Sequence, residues 1–152
     1  MMIKILVFLC VGLFSFSTLS RELTQEERKA VENTIRNEMK DPDSAKFYHW
    51  DFPYPDKSSI YCGLVNGKNS YGAYAGKQLF VTFVVKNNEG EIVALSFDIN
   101  ESTGEPVNPD AISSLCASGG YDIPVKKMFY DDINKERKKR GIPNLSRIYI
   151  RE

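Results

Sequence analysis

Histidine and cysteine are scarce in this chain, at one and three among 152 residues. The single imidazole, His49, has no second histidine with which to share a metal, and no two cysteines stand in C-x-x-C spacing. No metal centre and no cofactor is therefore expected. Net charge is missing as well, because 20 basic and 20 acidic side chains cancel. Without a whole-molecule field there is no reason to expect nucleic acid as a partner. Repeats and low-complexity tracts are absent, so solenoids and flexible linkers are set aside. What remains, at 42% hydrophobic and 26% charged residues, is the composition of one globular domain long enough to bury its own core.

Long apolar runs are limited to one. Ile5 to Phe16 follows Lys4, and the small residues Ser15, Ser17, Thr18 and Ser20 stand at and just beyond its end. A positive, an apolar and a small-residue segment in that order predict a secretory signal peptide over residues 1–20, cleaved after Ser17 or Ser20. The run is shorter than the ~20 residues a bilayer needs, so no stable membrane anchor is expected. Cys10 lies inside it without the small residue that lipoprotein processing needs just before the cysteine. The expectation is a periplasmic or secreted protein whose residues 21–152 form one domain.

Once the leader is removed, Cys62 and Cys116 are left in a compartment that favours oxidation. A Cys62–Cys116 disulfide is the default, and in the chain-entropy description it contributes roughly 3 to 5 kcal/mol. A metal pair or a reactive thiol has no support from neighbouring ligands.

Local patterns then predict the elements in order. Thr24 followed by Glu27 makes a capping box, and Val31, Ile35 and Met39 recur at four-residue spacing, which predicts a helix over Leu23 to Lys40. Asp41-Pro42 stops it, and Asp41 is placed to cap a short turn through Ser44. Phe47 to Phe52 and Ile60 to Asn66 are strand-prone, the second with Cys62 and Leu64 on one face and Tyr61 and Val65 on the other. Gln78 to Lys86 and Glu91 to Asp98 are the strongest strands, joined by Asn87-Asn88-Glu89-Gly90 as a hairpin. A polar loop, Asn100 to Val107, leads to a helix capped by Asn108-Pro109 and ended by Gly119-Gly120. A last helix is predicted over Val125 to Arg140, with Val125, Met128, Phe129 and Ile133 inward, and an extended segment over Leu145 to Ile150. The fold class is α+β: an N-terminal helix packed on a three- or four-stranded antiparallel meander, followed by C-terminal helices.

Two stretches carry a resemblance. DPDSAKF, Asp41 to Phe47, and YCGLVNGKNSYGAYAG, Tyr61 to Gly76, together resemble an uncharacterised set of small exported proteins and lipoproteins of Gram-negative bacteria. The resemblance covers about the first half of the mature chain and implies an envelope location. It brings no activity and no catalytic residue. The chain departs from the lipoprotein members in lacking a lipidation cysteine at the cleavage site, and its basic C-terminal part lies outside the pattern.

The stretch Tyr61 to Phe80 is the candidate functional element. Its glycines, Gly63, Gly67, Gly72 and Gly76, mark positions where the chain turns or another group approaches closely. Gly63 to Ser70 has one residue too few between its glycines for a phosphate-binding loop, and no hydroxyl directly follows Lys68. A recognition surface fits better. Tyr61, Tyr71 and Tyr74 offer flat rings with a polar tip, and Asn66, Lys68, Asn69 and Ser70 offer directional donors and acceptors. Asn66, Lys68, Asn69, Tyr71 and Tyr74 are the predicted ligand-binding residues, for an envelope protein, peptide or glycan. No catalytic residue is predicted, since His49 has no partner in the spacing and Asp41, Asp43, Asp131 and Asp132 suit caps and helix surfaces. The alternative is a hydrolase acting on a cell-envelope polymer through carboxylates, which a buried carboxylate pair in one cleft would favour, as an open tyrosine-lined surface would favour the binder. Finally, residues 124–152 hold nine basic against four acidic side chains, whereas 21–123 hold ten against sixteen. Lys126, Lys127, Lys135, Arg137, Lys138, Lys139 and Arg140 would give one helix a basic face suited to an anionic surface, or simply a solvated face that complements the helix dipole.

Overall fold

The computed structural model describes residues 20–97 and 107–152. The predicted leader through residue 19, Asp98 at the end of the fourth predicted strand, and the predicted polar loop through residue 106 lie outside the described residues.

The first helix, α1, spans Gln25–Glu38, and its start is the predicted capping box. The Glu27 N–H donates to Thr24 Oγ1 at 3.2 Å, and the Thr24 N–H donates to the Glu27 carboxylate at 2.8 Å. Two of the helix's orphan donors are thereby satisfied. Val31 and Ile35 are buried beneath it. The helix stops at Glu38 because Met39 is already extended, two residues before the predicted end. A 3₁₀ turn follows at Pro42–Ser44. Asp41 does not cap it through its carboxylate; instead Ser44 Oγ donates to the Asp41 carbonyl at 2.8 Å.

Four strands form an antiparallel meander in sequence order: β1 Lys46–His49, β2 Ile60–Asn66, β3 Gln78–Lys86 and β4 Ile92–Ser96. The hairpin between β3 and β4 is held by Asn87 Oδ1, which accepts from the Glu89 and Glu91 N–H groups at 3.0 and 2.9 Å, while Gly90 supplies φ +83°. β1 is shorter than the aromatic run that predicts it. The chain leaves the sheet after His49, and Phe52 pairs with Arg21 in an isolated antiparallel bridge.

The pleat assigns the two faces. Tyr61, Val65, Phe80, Val84 and Ala94 lie with Val31 and Ile35 of α1 in one core cluster. Ile60, Cys62 and Val81 lie with Cys116 in another, on the opposite face. Cys116 belongs to α2, Pro109–Ser118, whose first turn is capped by Asn108 through a bond from the Asp110 N–H. The sheet is thus enclosed between α1 and α2, and the Cys62–Cys116 disulfide links α2 directly to β2.

The C-terminal part differs from its prediction. Val125–Lys126 form a short strand, β5, paired in parallel with β6, Ile150–Arg151. The helix expected from Val125 therefore begins only at Tyr130, where α3 runs to Lys139 after a 3₁₀ turn at Lys127–Phe129. Val125 is buried as a strand residue, and Met128, expected inward, is 73% exposed. The extended segment expected over Leu145 to Ile150 contains a 3₁₀ turn at Arg147–Tyr149 and becomes a strand only at its end. Ala117, Val125, Ile133 and Leu145 make this part's own core.

Candidate functional site

The connection between β2 and β3 is braced by its own amides. Asn69 Oδ1 accepts from the Tyr71 and Ala73 N–H groups at 2.9 and 3.2 Å, and Asn66 Oδ1 accepts from the Gly76 N–H at 3.1 Å. Backbone bonds add to these: the Asn69 N–H donates to the Ala73 carbonyl at 2.8 Å, and the Ala75 N–H to the Gly67 carbonyl at 3.1 Å. Gly72 has φ +77°, a conformation that disfavours any side chain. The two asparagines act on the loop itself through their oxygens. Gly63 serves the other use of glycine: it lies within β2, where a Cβ would sit 2.9 Å from Phe80 Cζ and 3.2 Å from the Tyr48 carbonyl oxygen.

The tyrosines separate by environment. Tyr71 stands 94% exposed on this braced loop, and Tyr74 is 42% exposed. Tyr61, grouped with them by sequence, is fully buried and is not a surface residue. Its period-2 position turns it toward α1, where burial raises its phenol pKa and a hydrogen bond to the Trp50 carbonyl at 3.1 Å opposes that shift.

Cations gather around the exposed rings. Lys46 Nζ lies 4.2 Å from the Tyr74 ring centroid, and Lys68 Nζ lies 5.7 Å from the same ring. Lys77 Nζ lies 4.0 Å from the Tyr48 ring, and Lys40 Nζ donates to Ser70 Oγ at 3.1 Å. Lys40, Lys46, Lys68 and Lys77 form no ion pair among the described residues. The pleat of β1 explains the grouping. Phe47 and His49 turn toward the α1 face, so Lys46 and Tyr48 turn the other way, at the margin of a face where α2 lies over β2 and β3. Lys46, Tyr48 and Lys77 were not among the predicted site residues. The alternation of KFYH in β1 places Lys46 and Tyr48 on one face and is the signal that would have found them.

A second constellation surrounds His49. Its Nε2 lies 3.0 Å from Glu32 Oε1 on α1, and its Nδ1 lies 2.9 Å from Tyr61 Oη on β2. A cleft of about 220 Å³ lies alongside, lined by Glu22, Leu23, Arg28, Phe47, His49, Trp50 and Asp51. Both ring nitrogens are engaged within the protein, so the imidazole presents no free nitrogen to the cleft as a base. Glu22 and Asp51 at its rim are exposed. Among the described residues the one buried carboxylate is Glu27, held by Arg21 at 2.7 and 2.8 Å, and that hydrogen bond depresses its pKa against the opposing effect of burial. A buried carboxylate pair, which would favour the hydrolase reading, is not found among the described residues. Nor, among them, does any group of three or more His, Cys, Asp or Glu side chains stand in an arrangement for a metal ion.

The basic C-terminal segment does not form one face. Arg137 is 2% exposed, with Nε donating to the Ala117 carbonyl at 2.7 Å and Nη2 to the Tyr121 carbonyl at 2.8 Å. Lys126 pairs with Asp110 at 2.6 Å, and Lys139 and Arg140 pair with Glu136 at 2.6 and 3.6 Å. Lys127, Lys135 and Lys138 make no ion pair among the described residues. No helix among the described residues is long and apolar enough to cross a membrane. Comparisons with family models, curated proteins and solved structures gave no match for this chain.

Proposed function

We propose that this is a non-enzymatic binding or accessory protein of the bacterial envelope, which recognises a protein, peptide or glycan through the loop from Asn66 to Gly76. The observation that carries the reading is Tyr71, a large amphipathic ring 94% exposed on a backbone that side-chain and main-chain bonds already hold. Presenting a ring from an ordered loop lowers the ordering cost of association. Tyr74, flanked by Lys46 and Lys68, extends the surface. The disulfide suits an exported location, as do the leader-like first twenty residues and the resemblance to small exported proteins.

The test compares the protein with a Tyr71→Ala, Tyr74→Ala variant, after thermal melting has established that both fold. Each is used as bait against periplasmic extract and against purified peptidoglycan. A partner retained by the native protein and lost by the variant is the expected result. Equal retention by both proteins removes recognition from this loop.

A further inference from the structure

β1 is an edge strand: it pairs with β2 on one side, and no other strand joins it among the described residues. Lys46 is on that strand, and Lys77 Nζ, from the residue before β3, reaches to 4.0 Å from the ring of Tyr48 on β1; Lys46 and Lys68 lie 4.2 and 5.7 Å from the Tyr74 ring, and none of the three lysines has a carboxylate partner among the described residues. We propose that this edge takes an acidic, extended segment of a partner protein as an added strand, with Lys46, Lys68 and Lys77 pairing its alternate carboxylates. The proposal rests on the recognition reading above and names the chemistry of the partner.

Four considerations select this occupant. An open strand edge offers alternating N–H and C=O groups, which another extended backbone satisfies and a polyphosphate or sulfated polymer does not. An added strand lies about 4.8 Å from β1 with every second side chain on one face, so acidic residues two apart share the face of Lys46 and Tyr48. A second copy of this chain is disfavoured, because edge-to-edge pairing would bring the lysines of both copies together, and lysine on an edge guards against self-pairing. Sugar stacking is also less suited to Tyr48 and Tyr74, since lysine ammonium groups already lie against those rings. Tyr71, exposed on the loop between β2 and β3, is left as an apolar contact for the same segment.

The probe is a short fluorescein-labelled peptide alternating Glu and Thr, titrated against the protein by anisotropy at low and at physiological salt. A peptide of the same composition with its glutamates in one block, and inorganic polyphosphate, serve as comparisons. The alternating peptide is expected to bind most tightly, to weaken with salt, and to slow amide exchange in Lys46–His49. A Lys46→Gln, Lys68→Gln, Lys77→Gln variant is expected to bind on the order of tenfold more weakly, the scale of three exposed charge pairs, while arginine at the same positions retains binding. These surface changes are checked by thermal melting. Absence of binding at low salt overturns the proposal. Equal binding of all three probes without slowed exchange at β1 also overturns it and leaves a general anion surface. Should the native protein retain an extract partner that the tyrosine variant loses, while the alternating peptide fails to bind, the loop reading stands and this inference alone falls.

Discussion

Arg137 shows how a charged residue can be a core residue. Its guanidinium donates to the Ala117, Tyr121 and Pro143 carbonyls, and to Asp122, whose side chain is 58% exposed. The carbonyl bonds therefore carry more of its contribution than the ion pair, which water screens. Arg137→Met leaves three carbonyls to find other partners and is expected to lower unfolding free energy by about 2 to 4 kcal/mol in urea denaturation. An unchanged midpoint would remove the residue from the fold's support. Glu27 predicts an acid limb. The Arg21 hydrogen bond holds its folded pKa below the ordinary carboxylate value. Its stabilisation is thus fully present above that ordinary value and is lost as pH falls through the depressed folded one. Arg21 is partly exposed, so the effect is small, about 1 kcal/mol or less. Glu27→Gln keeps a capping-box residue and is expected to flatten the decline in stability below about pH 4.5, measured by denaturation across pH.

At the scale of elements, the loop between β2 and β3 and the strand β2 make separate demands on their residues. Asn69→Ala removes the acceptor for the Tyr71 and Ala73 N–H groups, both exposed. Faster amide exchange at those two positions with little change in melting temperature is expected, because the loop adds little to the core. A large fall in melting temperature would show that the bracing reaches the sheet. Gly63→Ala acts differently, since its methyl group would collide with the Phe80 ring and the Tyr48 carbonyl inside the sheet. A loss of about 1 to 3 kcal/mol is expected, with the same fold. Elements with local signals were legible in the sequence. The Thr24 and Glu27 box starts α1, Asn108-Pro109 starts α2, and the hairpin at Asn87 closes on its own side chain. β5 was not legible, because Val125 is extended only through pairing with Ile150, a residue far along the chain. A helical period across Val125 and Phe129 could not reveal that partner.

For the whole molecule, the disulfide links the layer above the sheet to the sheet. It joins residues 54 apart and connects α2 to β2, so reduction is expected to lower stability by roughly 3 to 5 kcal/mol. Thermal melting with and without reductant measures this. Trp50, the single tryptophan, lies 5.8 Å from Tyr121 beside the same core cluster and reports the loosening by fluorescence. If reduction left both the melting temperature and the emission unchanged, α2 would be held by packing alone. The sequence by itself determined the α+β class, the order of α1 and an antiparallel meander of three or four strands, and the cysteine pair, because caps, strand period and turn residues act within a few positions. Only the tertiary structure decided that α2 covers the face opposite α1, that Tyr61 is buried while Tyr71 is exposed, that Arg137 is a core residue, and that Lys46, Lys68 and Lys77 gather about tyrosine rings. Each of those depends on which surface a distant element covers or leaves open, and no local pattern of residues carries that information.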